Sequence, residues 1–314
     1  MRVAFLGNDA WSVAPLRALP QASDIDVDLV LTNPPRPAGR GSELTPTAVA
    51  DAARTLELPL LEVDRVRDGG GFDALDSLEP DAIVVVAYGE ILTPDVLDIP
   101  RLGAVNLHFS LLPRWRGAAP VQRAILGGDE TTGVTVMLMD EGMDTGPVLA
   151  SLETPIGPDE DAGALGARLS ELGAPLLVQT LQGLDESTVE PRSQDHTIAT
   201  YAPKLLPEER TIDWAQPAEA IVSRVRAFAP DPGAFTTFRQ GRLKVLVARV
   251  HPGGGRMATE GSGPGVIVGW DRDPWVGTAS GLVELVEVAP AGRKRMSGAE
   301  WARGARIQQG EGLT

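Results

Sequence analysis

The apolar positions of the first 150 residues fall in short runs separated by spans of helical character. Val3–Leu6 ends at Gly7, Asp28–Leu31 ends at Thr32-Asn33-Pro34, and Ala82–Val86 leads to Tyr88-Gly89. Val105–Phe109 and Val134–Met139 follow. The early runs are rich in Val and Ile, apolar throughout, and several end in turn residues. This predicts strands buried on both faces, as in a parallel sheet with helical crossovers. Such sheets bind ligands beyond the carboxyl ends of their strands. Gly7-Asn8-Asp9, Tyr88 and His108 lie at or near those ends.

Further on, Asp159 to Gly183 carries Leu165, Leu169, Leu172, Leu176 and Leu177 at helical spacing, with Pro175 predicted to kink or split the helix. The composition shifts over residues 184–208, where Glu190-Pro191-Arg192-Ser193 and Ala202-Pro203-Lys204 read as linker. Pro217–Phe228 is a short amphipathic helix with Ile221, Val225 and Phe228 on one side. Gly233–Val250 reads as a hairpin turning at Gln240-Gly241. Gly265–Trp270, Trp275–Thr278 and Leu282–Val288 are strand candidates punctuated by glycines, which together indicate a small barrel. Ser297 and Glu300 form a capping-box pattern opening a final helix.

Composition narrows the chemistry. The 314 residues suffice for two domains. There is no cysteine, hence no disulfide and no thiolate metal site, and three histidines make a His-rich metal site unexpected. No metal is expected. Neither a signal peptide nor an apolar run of about 20 residues is visible, so a cytoplasmic protein is expected. The net charge of −15 argues against a polyanion partner until it is divided. Residues 1–206 carry 14 Lys+Arg against 31 Asp+Glu, whereas residues 207–314 carry 14 against 12. A bound polyanion would lean on the C-terminal part.

The candidate chemistry lies between Ala104 and Ala150. Asn106 and His108 are two apart in a strand and therefore share a face. Asp144 follows in a Gly-Met-Asp-Thr-Gly turn. Acyl transfer to an amine passes through a tetrahedral oxyanion. An amide N–H can stabilise that oxygen, an imidazole can move the amine proton, and a carboxylate can hold the imidazole and favour its cationic form. Each residue alone also reads as structural. The order and spacing of the three together favour a site.

This segment resembles the folate-dependent formyltransferases, which share an Asn-x-His, a Ser-Leu-Leu-Pro loop and a distal Asp. Here these are Asn106, His108, Ser110-Leu111-Leu112-Pro113 and Asp144. Thr32–Gly41, Ala199–Leu205, Ile212-Asp213-Trp214, Arg226–Phe228, Pro232–Ala234, Gly292–Met296 and Gly304–Ile307 resemble the branch acting on methionyl-tRNA. The resemblance spans nearly the whole chain. It implies an α/β fold: a Rossmann-like catalytic domain with a mostly parallel sheet over 1–188, a linker over 189–207, and an OB-like barrel over 208–314 that helps bind tRNA. It implies transfer of a formyl group from 10-formyltetrahydrofolate to the methionine α-amine of initiator methionyl-tRNA. Folate is placed at Ser110, Leu111, Leu112 and Pro113, and near Tyr88, Gly89, Ile91 and Met139. Candidate tRNA contacts are Arg36, Arg40, Lys204, Arg293, Lys294 and Arg295. No obligate protein partner is evident, and a monomer is expected. After Arg40-Gly41 this chain has Ser42-Glu43 where the family often has lysines, which puts that loop's electrostatic contribution in doubt.

Three other readings compete with this one, and the last of them fails. A formyltransferase acting on a sugar amine or a purine precursor would share the trio, but the Arg293-Lys294-Arg295 cluster favours RNA. A non-catalytic RNA-binding protein is disfavoured by the intact trio. A dehydrogenase is disfavoured because Gly7 stands alone, without a Gly-x-Gly-x-x-Gly.

Overall fold

A computed structural model describes residues 1–38, 43–67, 70–252 and 263–314. In chain order the elements begin with β1 (Arg2–Gly7), α1 (Val13–Ala18), β2 (Asp26–Thr32), β3 (Arg36–Ala38), β4 (Glu43–Thr45), α2 (Ala48–Thr55) and β5 (Leu60–Glu62). Next come α3 (Gly71–Leu78), β6 (Ala82–Val86), α4 (Pro94–Leu97), β7 (Ala104–His108), α5 (Pro120–Leu126), β8 (Thr131–Leu138), β9 (Val148–Pro155) and α6 (Ala162–Asp185). The chain ends with α7 (Ala218–Phe228), β10 (Ala234–Phe238), β11 (Gly241–Val250), β12 (Ile267–Trp270), β13 (Pro274–Gly277), β14 (Leu282–Pro290), β15 (Met296–Ser297) and α8 (Gly298–Ala305). Two compact units emerge. One comprises residues 1–120, 131–155 and 166–203; the other comprises 121–130, 156–165 and 204–314.

The first unit is built on a seven-stranded sheet in the order β5-β2-β1-β6-β7-β8-β9. The pairs from β5 to β7 are parallel, and β8 and β9 run antiparallel at one edge. Every residue of β6 and five of six in β1 are buried, as the continuous apolar runs require. Strand alternation gives β7 two jobs. Leu107 points to α6, whose Gly173 has no room for a Cβ, because one would sit 2.9 Å from a Leu107 methyl. Asn106 and His108 therefore face the opposite side. Asn8 braces the strand ends. Its Oδ1 accepts from Thr32 Oγ1 at 2.9 Å and from Asn33 N at 2.8 Å, and its Nδ2 donates to Tyr88 O. The Gly7-Asn8-Asp9 turn thus has a structural role at these strand ends.

Several sequence expectations differ in detail. The long helix starts at Ala162 rather than Asp159, because Asp161 Oδ1 caps it by accepting from Ala164 N at 2.8 Å. It continues through Pro175 as one element, with Leu165, Leu169, Leu177 and Leu181 buried along it; packing outweighs the lost hydrogen bond. The stretch expected as linker is ordered against the first unit. Arg192 and Val148 exchange two backbone hydrogen bonds of 2.8 Å. Residues 200–202 run beside 113–119 through Thr200 N to Pro113 O, Arg116 N to Thr200 O, and Ala202 N to Arg116 O.

The second unit is an antiparallel sheet in the order β10-β11-β14-β13-β12, with β15 on β14. The last residues close it. Thr314 exchanges hydrogen bonds with Thr237 on one edge strand, while Leu313 N donates to Gly265 O and Ile267 N to Glu311 O at the other. Closure of both edges makes a small barrel, without exposed strand ladders there. The β10–β11 hairpin turns one residue earlier than expected, at Arg239-Gln240, both with positive φ (45° and 68°). A two-residue hairpin loop of this hand favours glycine or asparagine. Here Arg239 is held instead by Glu311, with Nε to Oε1 and Nη2 to Oε2 both at 2.7 Å. Ser297 and Glu300 form the expected reciprocal cap on α8. Among the described residues no helix is long and apolar enough to cross a membrane.

Candidate active site

β7 delivers Asn106 half-buried and His108 buried, on one face. The turn after β8 brings Asp144 to them, with φ of 54°. Asn106 Nδ2 donates to Asp144 Oδ1 at 3.3 Å, and Gly117 N donates to Asp144 Oδ2 at 2.7 Å. His108 Nδ1 stands 3.7 Å from Asp144 Oδ2, and Nε2 lies 2.9 Å from Trp115 O. A carbonyl oxygen only accepts, so Nε2 bears the hydrogen in this arrangement and Nδ1 faces the carboxylate. The separation to Asp144 exceeds a hydrogen bond. The imidazole is therefore oriented by Trp115 O, while Asp144 is its electrostatic neighbour. The sequence expectation had given that orienting role to Asp144.

Gly117 sits at the centre of this arrangement. Its φ is 122°, and a Cβ there would lie 2.7 Å from Ala202 O. Both facts demand glycine. Residue 117 thereby offers its N–H to Asp144 while chain 200–202 passes close by. Trp115, at φ of 61°, donates its N–H to Thr200 Oγ1 at 2.9 Å and so turns its carbonyl toward His108.

The expected folate residues divide. Ser110 is fully buried, and its hydroxyl donates to Arg114 O at 2.6 Å rather than facing outward. Thr135 on β8 pins the loop, donating to Ser110 O at 2.6 Å and accepting from Leu112 N at 3.1 Å. Leu111, Leu112 and Pro113 are half-buried, with a cis peptide before Pro113. Tyr88 belongs to a core cluster with Leu92 and Val96, and Met139 packs against that cluster. The Tyr88 hydroxyl is buried without a hydrogen-bond partner; burial, and then the Glu90 charge, push its pKa well up. Beside it Gly89 has φ of 84° and the apolar side chain of Ile91 is 66% exposed.

The expected tRNA contacts are exposed where described. Arg36 on β3 is 3.5 Å from Asp64 Oδ1. Arg40 lies outside the described residues, as does Ser42. In the second unit Lys204 is exposed, Arg293 and Lys294 occupy the exposed turn after β14, and Arg295 Nη2 donates to Glu287 Oε2 at 3.0 Å. Among the described residues no cluster of His, Asp or Glu is arranged to hold a metal ion. Two site neighbours were invisible in the sequence. Arg116 sits in a Pro-Arg-Trp-Arg-Gly loop where nothing marks it for burial, yet it is buried, and Gln194 in a Ser-Gln-Asp stretch carries no motif or periodicity.

Residues 1–181 match the formyl transferase family and residues 204–306 match the formyl transferase C-terminal domain. The chain is 46% identical to a methionyl-tRNA formyltransferase of Thermus thermophilus, over 100% of this chain and 99% of that one. It is 44% identical to the methionyl-tRNA formyltransferase of a Roseiflexus species, over 100% and 95%. The chain belongs to the methionyl-tRNA formyltransferase family. Its fold is shared with more distant solved structures. An N-formyltransferase from Helicobacter canadensis, solved with folinic acid and dTDP-3-aminofucose, superposes with a TM-score of 0.67 at 15% identity, over 90% of this chain and 98% of that one. HypX from Aquifex aeolicus, solved with tetrahydrofolic acid, gives 0.65 at 17%, over 96% of this chain and 47% of that one. Asn106 and His108 lie toward the carboxyl end of β7, where an α/β sheet presents its ligand crevice, and the turn after β8 brings Asp144 to them.

Proposed function

We propose that this protein transfers the formyl group of 10-formyltetrahydrofolate to the α-amine of methionine on initiator methionyl-tRNA. The observation that carries the reading is the convergence of Asn106, His108 and Asp144 around one carboxylate, in a chain of this family. The amine nitrogen attacks the formyl carbon, forming the new C–N bond and a tetrahedral oxyanion. Asn106 Nδ2 carries two hydrogens; Asp144 takes one, and the second is available to the oxyanion. His108 Nδ1 accepts the proton lost by the amine. Asp144, 3.7 Å away, stabilises the imidazolium so formed. Collapse of the intermediate breaks the bond between the formyl carbon and N10. N10 leaves as an amine, taking a proton, and the formamide product remains on the tRNA. No covalent enzyme intermediate is required: the chain has no cysteine, and the Ser110 hydroxyl is committed to Arg114 O.

The folate is read as lying along Tyr88, Gly89, Ile91 and Met139, with the backbone of 110–113 forming one wall. Ile91 supplies exposed apolar surface for an aromatic ring, and the unpaired Tyr88 hydroxyl supplies a polar group nearby. The RNA contacts are read as Arg36, Lys204, Arg293, Lys294 and Arg295, all exposed, where phosphates can reach them. Arg40 belongs to the same reading from sequence alone.

The test supplies 10-formyltetrahydrofolate with methionyl initiator tRNA or methionyl elongator tRNA and measures formyl transfer. Fast formylation of the initiator alone is expected. Equal inertness of both tRNAs, with small amines formylated instead, would overturn the assignment in favour of a sugar or purine substrate.

A further inference from the structure

Two buried polar side chains behind Asp144 take no part in the chemistry above. Arg116 is 2% exposed and Gln194 is 8% exposed. A buried guanidinium is costly unless its N–H groups find acceptors. Here neutral acceptors serve. Gln194 Oε1 receives Arg116 Nε at 3.1 Å and Nη2 at 2.6 Å, and His196 Nδ1 lies 3.1 Å from Nη2. None of the ion pairs recorded among the described residues includes Arg116.

This arrangement fixes which way the Gln194 amide points. Its oxygen is committed to Arg116, so its nitrogen faces away. That nitrogen donates to Asp144 O at 3.0 Å and Gly146 O at 2.7 Å. The two carbonyls belong to Asp144 itself and to Gly146, within the turn in which Asp144 takes its left-handed conformation. A non-glycine residue in that region holds only where its surroundings over-determine it. Arg116 also precedes Gly117, whose N–H holds the Asp144 carboxylate. One buried side chain thus links both grips on Asp144, the backbone grip through Gln194 and the carboxylate grip through its neighbour.

We infer that Gln194, clamped by Arg116, is a positioning residue for the transfer. It holds the 142–146 turn so that the Asp144 carboxylate meets Asn106, Gly117 N–H and His108 together. The inference rests on the reaction proposed above. Displacing a reacting group by about 1 Å is enough to cost about 10²-fold in rate.

Gln194→Glu separates positioning from mere satisfaction of Arg116. The glutamate still accepts from Arg116, now as an ion pair, but turns an oxygen toward the two carbonyls in place of the donor. With methionyl initiator tRNA and 10-formyltetrahydrofolate saturating, kcat should fall about 10- to 100-fold. KM for the folate should stay unchanged. The double variant Arg116→Met, Gln194→Met replaces the polar pair by apolar chains of similar length, which a folded core tolerates better than one orphaned partner. It should show the same loss of kcat. Added to Asp144→Asn, Gln194→Glu should cost little more, because both act through one carboxylate. Wild-type kcat in either variant, with folding verified by circular dichroism, would overturn the inference, as would full additivity with Asp144→Asn. Failure of the underlying reading looks different: the wild-type protein itself would not formylate methionyl-tRNA.

Discussion

The strand-end site of the first unit and the basic turn of the second use polar groups in opposite ways. Around Asp144 each group is buried or half-buried and its partners are few and fixed: Asn106, Gly117 N–H, the Gln194 amide and, at longer range, His108. At Arg293-Lys294-Arg295 the cations are exposed, and only Arg295 is tied down, by Glu287. The first arrangement suits chemistry, where low dielectric and fixed geometry strengthen each interaction. The second suits a polyanion, where cations displace counterions and need no single geometry. Damage to the first should therefore appear in kcat, and damage to the second in KM and its salt dependence.

The largest expected effect is at the oxyanion donor. Asn106→Ala should lower kcat by about 10²- to 10³-fold with folding intact; a loss confined to KM would move Asn106 out of the transition state. Next comes Gly117→Ala, which forces a methyl toward Ala202 O and pulls the N–H from Asp144. Steady-state assays should show kcat down by about 10- to 100-fold while folate binding survives. A silent Gly117→Ala would mean the 115–117 loop does not set Asp144. On the other side of the comparison, Arg293→Ala with Lys294→Ala should raise KM for tRNA, leave kcat near wild type, and reduce the slope of log affinity against log salt by about 2. Arg295→Ala should change that slope less than either, since its guanidinium is already paired with Glu287. An undiminished slope would take this turn out of the RNA interface.

The smallest effect concerns stability of the second unit. Glu209 accepts from Arg123 Nη1 at 2.6 Å and Nη2 at 3.0 Å, and this pairing, with the Leu206 N–H, holds its carboxyl below the ordinary glutamate range. The stabilisation is therefore present above the ordinary glutamate pKa of about 4.3 and is lost as the pH falls through the lower folded value. Glu209→Gln should lower stability at pH 7 by no more than about 1 kcal/mol and flatten the acid limb of a Tm-against-pH curve. An unaltered acid limb would show the pair contributes nothing.

The same contrast explains what the sequence revealed. β1, β6 and β7 were legible because strands buried on both faces must be continuous apolar runs. Asn106 and His108 were legible because polar residues two apart at the end of such a run have a fixed common face. β9 escaped because an edge strand with Ser151 and Glu153 exposed carries no such signature, and β3, β4 and β5 are only three residues long. The residues that fasten the site escaped for a different reason. Gln194 and Thr200 lie in a polar stretch whose composition reads as linker, and their value comes from what they reach across the fold. Arg116 resembles any loop arginine until its burial is seen. Contacts distant in sequence, made by residues without periodicity, leave no local trace.

What must hold is that formyl transfer to the methionyl amine runs through Asn106, His108 and Asp144 together. The most direct test is a single-turnover measurement with His108→Ala, using enzyme in excess over methionyl initiator tRNA and saturating 10-formyltetrahydrofolate, so that binding and product release drop out. The expected transfer rate is at least about 10²-fold below wild type in a folded, folate-binding protein. A wild-type single-turnover rate would contradict it and remove His108 from the chemistry.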